Sequence, residues 1–293
     1  VTRTVPAAIA AKLANKHPTL SRCLRLDLRD GTSIGITDHD RSLLVNLGDG
    51  DVTYSASTGA LPSDVSLTMG FEVDNFEVTG PVGETFSLAA ILGGRFDRAR
   101  ARLFDADWQA PGNYVPLLKG RVAEARVEGG GFIMAVRSDV EAYNQVIGRV
   151  LSPFCTHDYG DARCQAVVPT FPATVATVTD ELAFTVTFTG STPSAGQLVM
   201  GTCEFLTGDL AGTLPIEVFA HSGASITLFA PAAAVPEVGD TLMLSGGCSK
   251  LRRSEDVTVV TCLSNSNVEN FGGFPDAPGS SQYLKYAVPG SSA

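Results

Sequence analysis

From Ser21 the chain runs "SRCLRLDLRD" and then "TSIGITDHD", with Asp30 and Gly31 supplying a turn pair between them. Apolar and polar residues alternate in both runs, which is the period of an extended strand, so together they predict a hairpin. The pattern recurs at short spacing in "SLTMGFEVDNFEV", "ARARLFDADW", "YVPLLKGRVAEARVEG" and "GFIMAVRSDV", each bounded by Gly, Pro, Asn or Asp. A chain punctuated this often has no room for long helices and is confined to a mainly β fold. Two stretches, "FSLAAILGGRFD" and "DVEAYNQVIG", each have space for one brief helix. Ahead of the first strand, "VPAAIAAKLANKH" is rich in Ala, with Pro6 at a first helical turn and Pro18 as a stop. It predicts a short helical arm that docks on a neighbour.

The strand pattern divides the chain. Residues 1–20 form the arm and 21–149 a first β-domain, and the last part, 150–293, contains a second set of short strands. These are "ATVATVTDELAFTVTF", "GQLVMGTCEFLTG", "PIEVFAHSGASITLFA" and "VGDTLMLSGG", which predict a small β-barrel inserted at about 165–247. An inserted domain enters and leaves its host at nearby points. Cys155 and Cys164 at the entry would then meet Cys248 and Cys262 at the exit. The tail after Pro278 reads as an extended end.

With 293 residues and 44% hydrophobic content, the chain can bury a sizeable core. Its net charge of −10 argues against a broad basic surface, and so against a gripped nucleic acid. No apolar run has the length of a signal peptide core or a membrane span, so a soluble protein made in the cytoplasm is expected, with no stable membrane insertion. In a reducing compartment, widely spaced cysteines are buried thiols or metal ligands more often than disulfides. Cys23, alternating with leucines, and Cys203, after a Gly-Thr turn, read as plain core residues. The members of the other two pairs are separated by eight and thirteen residues, wider than a zinc knuckle and unlike a short ferredoxin run. Spacing leaves core thiols, zinc and an iron–sulfur cluster all open.

Catalytic readings are weaker. Cys155 with His157 has the residue types of a thiol nucleophile and base, but lacks an orienting third group in the sequence. Asp38, His39 and Asp40 read as a polar cluster at a hairpin edge rather than an ion site. No pair of carboxylates is singled out for glycoside cleavage, and Trp108 near Tyr114 reads as a loop anchor. No enzymatic activity is expected.

The residues around the cysteine pairs carry a resemblance. Cys155, Gly160, Asp161 and Cys164, then Gly247-Cys248, Thr261-Cys262 and "NFGGFP" from Asn270 to Pro275, resemble the tail hub proteins of gene transfer agents and of siphophages with long non-contractile tails. The segments "GITDHD", "SDVSLTMGFEVDNFEVTG" and "GGRFDRARARLFDADW" extend the likeness over nearly the whole chain. The resemblance implies a tube-like hub β-domain followed by an iron–sulfur domain, with Cys155, Cys164, Cys248 and Cys262 holding a [4Fe–4S] cluster. The stretch "SKLRRSEDVTVV" before Cys262 is longer than the family's interval and reads as an added loop. The resemblance also implies a homotrimeric ring in the tail baseplate of a phage-like particle. There it would contact the distal tail protein ring, the tip or fibre-bearing baseplate protein and a tail-associated peptidase, with DNA passing through the lumen unbound. An acidic lumen drawn from Asp38, Asp40, Asp49, Asp51, Asp74 and Glu77 would suit that passage. The alternatives are a zinc-stabilised cell-surface binding module and a cell-wall peptidase or glycosidase.

Overall fold

The computed structural model describes residues 5–13, 19–56, 58–63, 75–144, 148, 151–255 and 260–275. The chain is mainly β and divides into two compact units, residues 1–146 with 209–214, and residues 147–208 with 215–293. The tail after Pro278 and the first nine residues of "SLTMGFEVDNFEV" lie outside the described residues.

The first unit is built on a nine-stranded sheet. Its strands are β1 Leu20–Asp27, β2 Ser33–Thr37, β3 Leu43–Asn46, β4 Asp51–Ser55, β5 Leu61–Pro62, β6 Asn75–Pro81, β7 Arg100–Asp107, β8 Tyr114–Glu128 and β9 Gly131–Ser138. They lie in the order β3-β4-β2-β1-β7-β8-β9-β6-β5, antiparallel except where β2 meets β4. The β1–β2 hairpin turns at Asp30-Gly31, where Gly31 takes a φ of 84° and the Asp30 carboxylate accepts from Thr32 N at 2.8 Å. β1 is buried on both sides. Leu24 and Leu26 join the main core with Phe76, Phe86, Phe96, Phe132 and Met134, while Cys23 on the opposite face packs with Tyr54 and Phe104 under β3 and β4. This two-sided burial turns the expected alternation into a continuous buried run from Cys23 to Leu26.

Two short helices accompany the sheet. α2, Leu88–Leu92, is capped by Ser87, whose hydroxyl accepts from Ala90 N at 3.2 Å, and it buries Ala90 and Ile91 in the main core. α1, Ala7–Leu13, begins after Pro6, buries Ile9 to 1% exposure and sends Lys12 to Asp107 at 3.3 Å. A buried Ile and a paired Lys anchor this helix on its own unit, and residues 14–18 of the expected arm lie outside the described residues. Within "DVEAYNQVIG" the structure describes a short 3-10 helix, Asp139–Asn144, and residues 145–147 lie outside the described residues.

The second unit contains a closed six-stranded barrel. Its strands are β10 Thr170–Val178, β11 Ala183–Phe188, β12 Thr202–Phe205, β13 Ile216–Ser222, β14 Ser225–Leu228 and β15 Thr241–Ser245. Closure in the order β10-β11-β14-β13-β12-β15 leaves no free edge. Phe171, Val175, Phe184, Phe205, Val218, Ile226 and Leu244 fill the interior, each 6% exposed or less. β10 and β15 pair antiparallel, with Thr170 opposite Ser245, so the chain enters and leaves the barrel at one end.

Candidate functional site: a cysteine-rich crossing

Three segments outside the barrel strands are stitched together by backbone bonds. Cys155 N donates to Lys250 O at 2.8 Å, Cys262 N to Leu251 O at 3.0 Å and Phe274 N to Ser152 O at 2.7 Å. The Lys250 ammonium donates to His157 O at 2.5 Å. These bonds join the chain before the barrel, the chain after it and the "NFGGFP" stretch.

Each of the four paired cysteines sits on one of these segments. Cys164 closes a turn whose geometry Asp161 sets: one carboxylate oxygen accepts from Cys164 N at 2.6 Å and from Arg163 N at 3.0 Å. Those bonds, led by the one from Cys164 N, hold the Asp161 carboxyl below its ordinary pKa. Cys248 follows Gly246-Gly247 at the barrel exit. A Cβ on Gly247 would lie 1.7 Å from Val199 O, so no side chain fits there. Cys262 donates its thiol proton to Asn267 O at 2.9 Å, and Asn267 in turn donates to Cys164 O at 2.6 Å and to Cys164 Sγ at 3.4 Å. Gly272 N donates to Cys155 Sγ at 3.3 Å. A Cβ on Gly272 would meet the His157 ring at 2.5 Å, so the first glycine of "GGFP" is a close-approach residue.

The Cys262 thiol feels the other three. Burial pushes the Cys262 pKa up, and charge on Cys155, Cys248 and Cys164 adds to the effect. Tyr159 is likewise raised, first by burial and then by Cys248, and its hydroxyl accepts from Asn265 at 3.1 Å. Cys164 and Cys262 are both 8% exposed, whereas Cys155 and Cys248 are half-buried. Among the described residues, no three His, Cys, Asp or Glu side chains come together as ligands of a metal ion would. The four thiols therefore share one region of the unit without the tight grouping of a single-ion site.

The remaining sequence candidates have other employment. Burial raises Cys23 to about 11 and Cys203 to about 12, as expected of core thiols. His157 Nδ1 contacts Asn270 O at 3.1 Å, so the ring is tied to the "NFGGFP" backbone. His39 contacts Asp40 at 3.0 Å and its ring lies 5.2 Å from that of Trp108. Sequence reasoning passed over Asn267, which bridges two cysteine segments. Its only signal was an Asn within "SNSNVEN" five residues after Cys262.

Fold and site together define a mainly β protein whose second unit is tied by hydrogen bonds at a thiol-rich crossing. A family model described as baseplate hub protein, N-terminal attachment domain, matches residues 6–167, and the chain belongs to that family. A second model, described as phage conserved hypothetical protein BR0599, matches residues 196–281. Among solved structures, a chain of the virion of a native gene transfer agent particle is similar to this one, with 26% identity, a TM-score of 0.79 and coverage of 98% of both chains. No curated protein matches in sequence. Within the described residues, no helix is long and apolar enough to cross a membrane.

Proposed function

We propose that the chain is the hub subunit of the baseplate in a phage-like particle of the gene transfer agent type, acting as a scaffold and not as an enzyme. The observation that carries this reading is the likeness to a gene transfer agent virion chain at a TM-score of 0.79 over 98% of both chains, too complete to reflect one shared module. Three copies form a closed ring through heterologous contacts. The ring joins the distal tail protein ring to the tip protein and its associated peptidase, and DNA leaves through its lumen. Deleting the gene in a producing strain should give tails that stop at the distal ring. Complete baseplates in the deletion strain would contradict the proposal.

The crossing of Cys155, Cys164, Cys248 and Cys262 is the proposed seat of a structural [4Fe–4S] cluster. A Cys262 thiol within reach of charge on the other three, two N–H donors directed at sulfur and partial burial all fit such a group, whose thiolates are stabilised by backbone and amide hydrogen bonds. When bound, the cluster supplies four metal–thiolate links. The residues of this chain position those thiols: Asp161 fixes the turn before Cys164, Asn267 spans Cys164 and Cys262, and Gly272 approaches Cys155.

A further inference from the structure

The central strands of the nine-stranded sheet carry like charges in register. Arg100 of β7 stands opposite Arg121 of β8, and Arg121 stands opposite Arg137 of β9. One step along, Arg25 of β1 faces Arg102, and Arg102 faces Lys119. Neighbouring strands lie about 4.8 Å apart, so like charges placed directly opposite repel and destabilise the sheet. Edge protection does not explain them, because β7, β8 and β9 are interior strands.

Part of this charge is neutralised at the floor. Arg25, only 6% exposed, donates to Asp27 at 2.6 Å, to Asp49 at 2.8 Å and to Ser33 at 3.2 Å. Arg102 donates to the same two carboxylates at 2.7 and 2.6 Å. Arg137 pairs with Glu141. Arg100, Lys119 and Arg121 are exposed, and among the described residues no carboxylate pairs with them. These three line a groove of about 700 Å³ whose far side is the turn bearing Asp139 and Tyr143, the latter 80% exposed. A chain of net charge −10 thus keeps a concave surface on which three cations have no carboxylate partner among the described residues.

We infer that this groove, with Arg100, Lys119 and Arg121 as its binding cations, receives an extended acidic segment of another protein chain. Asp27 and Asp49 on the floor and Asp139 on the wall interrupt the positive surface, which disfavours an unbroken phosphate track. Side chains of an extended peptide recur on one face about 6.7 Å apart, so its carboxylates meet separate cations and pass the intervening acids. Guanidinium groups donate paired N–H bonds to such carboxylates in two-point contacts. The inference is independent of the cysteine crossing.

The test is fluorescence-anisotropy titration of the whole protein with a labelled octaglutamate peptide at low salt, beside a labelled eight-nucleotide oligothymidine. Wild type should bind the peptide at least tenfold more tightly than the Arg100→Gln/Arg121→Gln variant, and more tightly than it binds the oligonucleotide. Arg126→Gln, which removes a cation paired with Glu124 and Glu128 on the same strand, should change peptide affinity less than twofold. The double variant should melt no lower than wild type, since it relieves repulsion without breaking an ion pair. Four results would overturn the inference: no peptide binding at millimolar concentration, equal or tighter oligonucleotide binding, an equal loss in Arg126→Gln, or a lowered melting temperature in the double variant.

Discussion

Asp27 shows how a single side chain couples charge to stability. Burial raises its pKa, but hydrogen bonds from Ser33, Arg25 and Arg102 outweigh that effect and leave the carboxyl below its ordinary range. Its folded-state value lies below the unfolded one, so the stability it supplies is fully present above about pH 4 and is lost as pH falls through the depressed folded value. Asp27→Asn should cost about 1–3 kcal/mol at pH 7, because it strips a hydrogen-bonded charge from the buried Arg25. Urea unfolding at a series of pH values checks this: the gap between variant and wild type should close on acidification, and a constant gap would contradict the assignment. Gly272→Ala acts by crowding. The added methyl would press on the His157 ring, so the crossing should loosen, with a loss of about 1–3 kcal/mol measured by thermal melting. An unchanged melt would mean that the ring moves aside freely.

At the level of elements, the barrel stands on its aromatic interior. Phe184 is 1% exposed and lies 5.9 Å from Phe205, so Phe184→Ala should cost about 3–5 kcal/mol in denaturant unfolding, while exposed Phe229→Ala should cost under about 1 kcal/mol. The period-two alternation of "GFIMAVRSDV" is visible in β9, where Phe132, Met134 and Val136 point inward. The Asp30-Gly31 turn was equally legible, because its chemistry is local. Contacts between distant segments were not. The anchoring of α1 depends on Asp107, far along the chain, and no local pattern announces that Lys12 will find it. Net charge hid more. The total of −10 argued against a basic surface, yet pairing brings Arg100, Arg121 and Arg137 side by side, because strand register sorts charges that composition only sums. Asp49, one of the residues expected to line an acidic lumen, is paired with Arg25 and Arg102, and Asp74 lies outside the described residues. At the crossing, the cysteines and "GGFP" glycines stood out in the sequence, whereas Asn267 gains its role only when Cys164 and Cys262 are brought to either side of it.

For the whole molecule, membership in the baseplate hub family sets the task, and the two units supply different means to it. The sheet unit presents an open, charged face on rigid strands, suited to contact with other chains. The second unit closes its barrel edges and ties its entry and exit segments at the thiol crossing, which suits a part that must keep its shape inside an assembly. In the function proposed for this chain, a cluster on four particular cysteines completes the tie. Metal binding couples to folding, so losing one ligand should lower both occupancy and stability. The most direct measurement is iron, zinc and acid-labile sulfide analysis of protein purified without oxygen, for wild type and for each of the six Cys→Ser variants. Wild type should carry about four iron atoms and about four sulfides per chain. Cys155→Ser, Cys164→Ser, Cys248→Ser and Cys262→Ser should each lose iron, while Cys23→Ser and Cys203→Ser retain it. Zinc without sulfide, no metal at all, or equal iron loss in all six variants would contradict the account.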